Sequence, residues 1–192
     1  RTGLALLPTL RKVGSPLQGH PVVGTAPGIE ACTGSLGQGL SIAVGMALAA
    51  RLDQPTRNVF CVMGDGEIQE GQVWEAAMSA SKLGLDGLCA ILDFNKAQID
   101  GLVKDVMPIE PVEAKWQAFG WLTRRIDGHD LAAIDAALAW GKTREGKPKL
   151  IVADTIKGKG VSYMESELVK WHGVAPTREQ CDKGAAELRG RL

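Results

Sequence analysis

The chain has 192 residues, 45% of them hydrophobic and 23% charged, which fits one globular domain with a full core and excludes a disordered tail. Lysine plus arginine equals aspartate plus glutamate at 22 each, and no run of like charge stands out, so nucleic acid and anionic membranes are not expected partners. Cys32, Cys61, Cys89 and Cys181 form no CxxC pair and read as small core residues in a reducing cytoplasm, not as a disulfide or zinc framework.

In chain order, Leu4 to Val13 mixes apolar and basic residues and reads as a short helix ending near Gly14. Gly19-His20-Pro21 places an imidazole in a turn, because the proline fixes the backbone and disfavours a helical conformation before it. No charged residue occurs from Ala31 to Ala50, yet Thr33, Ser35, Gln38, Ser41 and the glycines argue for a buried helix over a membrane span. That helix opens in Gly34-Ser35-Leu36-Gly37-Gln38-Gly39 and runs to about Leu52. Its GxxGxG spacing is not the GxGxxG of dinucleotide-binding folds, and no GxxxxGK followed by Ser or Thr occurs, so NAD and nucleoside triphosphate cradles are disfavoured.

The stretch Asn58 to Asn95 carries the chemistry. Val59 to Met63 is uncharged, as a parallel strand covered on both faces is, and it stops at Gly64-Asp65-Gly66. Gln72 to Leu83 has apolar residues at helical spacing and Leu88 to Leu92 is a second buried strand, which makes a βαβ unit. In such a unit both strands end on the ligand-binding edge, so Asp65 and Asn95 are expected to be neighbours. One carboxylate and one amide oxygen form a poor zinc site and a reasonable half-shell for Mg²⁺ or Ca²⁺, with the remaining ligands coming from a phosphorylated cofactor. Asp93 precedes Asn95 by two, points to the same side and is expected to support it. Glu67 and Glu70 fall at the start of the helix, where capping is the simplest account of both.

Beyond a loop at Pro108–Pro111, helices are expected at Glu113–Phe119 and Leu131–Thr143, and strands at Trp121–Ile126 and Leu150–Thr155. The fold class expected is α/β: a three-layer open, mostly parallel sheet with helices on both faces, formed by residues 1–192 as one domain. His129 reads as structural, beside an Asp130 that caps the following helix. Lys157-Gly158-Lys159-Gly160 is read either as a phosphate-holding turn or as a basic surface turn.

GDGEIQEG followed by DFNKAQIDG resembles the thiamine diphosphate motif in the form used by transketolases. GSPLQGHP, TGSLGQGLSIAVGMA, KGKGVSYMES and VKWHGVAP resemble further transketolase segments, so the likeness runs from about Leu7 to Leu188. It implies a metal held by Asp65, Asn95 and the main-chain carbonyl of Ala97. It also implies cofactor contacts from Gly34, Leu36, Gly64, Gly66, Glu70 and Asp93, with Glu67 left structural. His20 and His172 become the catalytic histidines facing the diphosphate and the sugar, and the helix after the glycine loop becomes a subunit interface. The activity implied is transfer of a two-carbon ketol unit from a ketose phosphate to an aldose phosphate, with thiamine diphosphate and Mg²⁺ (or Ca²⁺), in the cytoplasmic pentose phosphate pathway.

The resemblance has two departures. The family's upstream histidine-bearing segment, in a Ser-x-Gly-His context, is absent before Arg1, and that start reads as a trimmed or fragmentary end without a signal peptide. The pyrimidine-binding domain, with its cofactor-activating glutamate, is absent too. The expectation is therefore the amino-terminal subunit of a split transketolase, active with a carboxy-terminal subunit that supplies that glutamate, the pair dimerising to a heterotetramer. Alternatives are a deoxyxylulose-phosphate synthase or dehydrogenase-like subunit of another thiamine diphosphate enzyme, or a non-catalytic assembly subunit of the same fold.

Overall fold

A computed structural model describes residues 4–54 and 56–190. Helix α1 (Gln38–Asp53) precedes strand β1 (Val59–Gly64), helix α2 (Gly71–Lys82) and strand β2 (Leu88–Phe94). A small hairpin, β3 (Ala97–Gln98) and β4 (Gly101–Leu102), leads into α3 (Val103–Val106) and α4 (Val112–Ala118). Next come β5 (Leu122–Asp127), α5 (Leu131–Gly141), β6 (Lys149–Asp154), α6 (Ser162–Glu165) and α7 (Arg178–Arg189). Three 3₁₀ turns, Leu4–Thr9, Glu67–Gln69 and Lys170–His172, lie outside these elements.

The larger sheet has the order β1-β2-β6-β5 and is parallel throughout. Alternation along its strands sorts side chains to two faces. Leu88, Ala90 and Leu92 of β2 join Leu150 and Val152 of β6 on the face packed by α1, α2 and α4. Cys89 and Ile151 turn the other way, against Ala137, Leu138 and Trp140 of α5. Helices therefore cover both faces, as the α/β pattern requires. Register sets Gly64 beside Asp93, and Phe94 beside Asp154, so the carboxyl ends of three strands finish at one level. On the α5 side of β1, the Phe60 ring lies against Gly141 at the end of α5, while Val62 is 68% exposed.

Several expectations change in detail. The helix expected over Leu4–Val13 is a 3₁₀ turn ending at Thr9, with Pro8 inside it and Arg11 at φ 62. A proline lacks the N–H that an α-helix needs. The uncharged run Ala31–Ala50 is helical only from Gln38, and among the described residues no helix is long and apolar enough to cross a membrane. Cys61 and Cys89 are buried as expected, and burial pushes their thiols up to about 11 and about 12. Cys32 and Cys181 are exposed, which corrects the reading of all four as core. Helix α7 lies in a tail for which no element was expected; its capping box, Thr177 with Gln180, is the sequence signal for it.

Candidate functional site

The carboxyl ends of β1 and β2 bring the motif residues together. Asp65 follows β1 directly and is only 1% exposed; Asn95 follows β2 and is 6% exposed. The Asp65 carboxylate is held at both oxygens by main-chain donors: Gly66 donates to Oδ1 at 2.8 Å and Lys96 donates to Oδ2. Lys96 itself sits at φ 69, which turns its N–H back across the strand gap. Burial holds the Asp65 carboxyl above its ordinary 3.8 and Asp93 pushes the same way, while the two N–H donors and the charge of Lys157 oppose the shift.

Asp93, expected to support Asn95, is hydrogen-bonded to it. Its Oδ2 accepts the Asn95 amide N–H at 3.1 Å, and its Oδ1 accepts from the Thr155 hydroxyl. Because an ionised carboxylate only accepts, it fixes the Asn95 nitrogen on its own side and leaves Oδ1 turned toward Ala97, whose N–H reaches it at 3.2 Å. The donors shown at this edge are then one carboxylate and one amide oxygen, hard oxygen ligands of the kind that suit Mg²⁺ or Ca²⁺. Among the described residues no group of three or more His, Cys, Asp or Glu gathers in a metal-holding arrangement.

The two histidines expected to be catalytic stand in different surroundings. His20 stands against the glycine loop: a Cβ built on Gly34, at φ +119, would lie 2.5 Å from its ring. Only glycine fits that position. His172 reaches the other side, where its ring hydrogen-bonds the main chain of Ala97; desolvation and then Lys157 lower its pKa from 6.5, against that bond. Lys157 thus faces both Asp65 and His172. The sequence left it undecided between phosphate and surface, and the charge balance between its turn and the distant motif is what was not legible.

Neither acidic residue after the turn caps α2. Glu70 stands at the N-cap position without a side-chain cap bond and packs its Cβ against Gly37, 2.8 Å from where a Cβ there would lie. Glu67 accepts from Gly37 at 3.0 Å and from Gly64 at 3.1 Å. Leu36 is exposed and, with Gly34 and Glu67, lines a groove of about 780 Å³ between the loop, α1 and β1. His129 is structural as expected, its Nε2 accepting the Ile156 N–H at 2.8 Å, and Asp130 caps α5 through Ala132 and Ala133.

Fold and site define an α/β domain that gathers oxygen donors and main-chain N–H groups at the carboxyl edge of a parallel sheet, a place where phosphorylated ligands bind. The family described as "Transketolase, thiamine diphosphate binding domain" matches residues 3–188. The 6-deoxy-6-sulfo-D-fructose transketolase subunit SqwG of Clostridium sp. (strain MSTE9) is 46% identical over 96% of this chain and 67% of its own length. An apulose-4-phosphate transketolase subunit of Phocaeicola vulgatus is 43% identical over 96% of this chain and 65% of its own. The transketolase structure from Campylobacter jejuni superposes with a TM-score of 0.90 at 34% identity, over 97% of this chain and 30% of that one. The chain belongs to the transketolase family, as its thiamine diphosphate-binding domain. It spans about two thirds of the length of the two subunit relatives.

Proposed function

We propose that the chain is the diphosphate-holding subunit of a split transketolase, moving a two-carbon ketol unit between sugars with thiamine diphosphate and Mg²⁺. The observation that supports this most directly is the Asp65–Asn95–Asp93 arrangement, in which a buried carboxylate and an oriented amide oxygen share one strand edge. When bound, thiamine diphosphate supplies an electron sink for breaking and forming carbon–carbon bonds. The protein's part is position and proton handling. Asp65, Asn95 and the Ala97 carbonyl would hold the metal and through it the diphosphate; Gly34, Leu36, Gly64, Gly66 and Glu70 would shape the cradle. Lys157 adds a positive charge on the diphosphate side. His20 and His172 are the groups proposed to hold or move protons near the substrate, as imidazoles do near neutral pH.

The activating glutamate is proposed to come from a carboxy-terminal partner subunit in the cytoplasm, the two together dimerising. The substrate is proposed to be an anionic sugar, because the two subunit relatives are named for a sulfonated and a phosphorylated one. The test is calorimetric titration with thiamine diphosphate and Mg²⁺, with and without a candidate partner, followed by a coupled assay on xylulose 5-phosphate and ribose 5-phosphate and on sulfonated or branched sugars. Cofactor binding with turnover only in the reconstituted pair is expected. Binding without turnover on any of these sugars refutes the catalytic role.

A further inference from the structure

Glu67 does not cap α2, and its bonds connect two parts of the proposed site. Its carboxylate spans Gly37, thirty positions earlier, and Gly64, one oxygen to each main-chain N–H. Gly37 is the residue before α1 and Gly64 the last of β1, so each N–H belongs to a terminus. Among the described residues no lysine or arginine lies within ion-pair distance of Glu67, so its carboxylate is held by these two main-chain N–H groups and not by a salt bridge. Two donors need two acceptor oxygens on one planar group of the right reach. Glutamine offers one oxygen and would press an NH₂ against the other donor; aspartate is one methylene short. The far side of the same loop is fixed as well, because Gly37, at φ +80, packs on Glu70 and Val73.

We propose that Glu67 is a positioning residue: it sets the glycine loop that carries Gly34 and Leu36 in register with the Asp65 turn, so that one ligand meets both. The inference rests on the cofactor reading above. It acts through main-chain groups and touches no reacting atom.

Wild type, Glu67→Gln and Glu67→Asp are compared in two measurements. Amide hydrogen exchange by NMR on the ligand-free chain is expected to show Gly37 and Gly64 exchanging about tenfold faster in both variants, with α2 and β2 unchanged. Titration with thiamine diphosphate at saturating Mg²⁺ is expected to give a Kd raised about tenfold in both, as for loss of one charge-assisted hydrogen bond, at a nearly unchanged thermal midpoint. Unchanged exchange at the two glycines overturns the clamp. A Glu67→Asp variant that keeps the wild-type Kd shows that charge alone suffices and overturns the positioning role, as does a drop in midpoint with no change in Kd. A wild-type chain that binds no thiamine diphosphate even when paired with its partner subunit refutes the cofactor reading itself, a result distinct from variants that bind as well as wild type.

Discussion

Asn95 carries an amide whose two ends are alike in size, and Asp93 decides which end faces the site. Asp93→Ala frees that choice and is expected to weaken metal-dependent cofactor binding roughly 10- to 100-fold, the usual cost of losing a group that orients a metal ligand, measured by calorimetry at fixed Mg²⁺. Asp65→Ala is expected to abolish metal-dependent binding altogether, and an unchanged affinity refutes the metal assignment. His172 gives a pH signature. Its pKa is lowered in the folded chain by desolvation and by Lys157, so its contribution to stability is fully present above 6.5 and is lost as pH falls through the lowered value. Lys157→Ala removes one of those two effects and is expected to move the imidazole titration, followed by NMR, upward. The residues that were legible in the sequence are those tied to a short motif: Asp65, Asn95, and Asp93 two places before it. Lys157 and Glu67 were not, because each also depends on a partner far off in the chain, Asp65 for Lys157 and Gly37 for Glu67, which periodicity does not encode.

The helices and strands obey simpler rules. α2 buries Val73, Ala76, Ala77 and Ala80, the spacing of one helical face, and its limits match the sequence to within a residue or so. Around α2 and α4 the indoles of Trp74, Trp116 and Trp121 pack with Phe119, at centroid separations of 4.7–5.5 Å. Trp121, expected as the first residue of a strand, lies just before β5 and donates its indole N–H to the Ala77 carbonyl at 2.9 Å. The indole N–H of Trp116 is buried without a partner among the described residues. Replacing each by phenylalanine therefore separates volume from hydrogen bonding: Trp121→Phe is expected to cost about 1 kcal/mol more than Trp116→Phe in urea unfolding, since only the former loses a bond. Trp116→Ala is expected to cost roughly 3–5 kcal/mol as a large core truncation. The short hairpin β3–β4 and helix α7 escaped the sequence because one has two-residue strands and the other a low apolar content, buried only at Gly184.

At the scale of the molecule, one parallel sheet places the metal-type donors, the glycine loop and the His172 turn at one edge. The α/β class and the position of that edge were legible from alternating apolar runs, whereas the sheet order was not, since β5 pairs with β6 across an intervening helix and strand order leaves no local trace. Thiamine diphosphate with Mg²⁺ is expected to raise the thermal midpoint of the chain by mass action, while ketol transfer by the chain alone stays negligible; robust turnover without a second polypeptide refutes the split reading. β1 has a further, practical consequence. Only β2 pairs with it among the described residues, and Phe60 and Val62 stand exposed beside its open side. An apolar strand at the edge of a sheet is a template for other strands, so association at high concentration is expected to run through it. Val62→Lys, a gatekeeper charge on that strand, is expected to suppress concentration-dependent light scattering, and scattering equal to that of wild type places the sticky surface elsewhere.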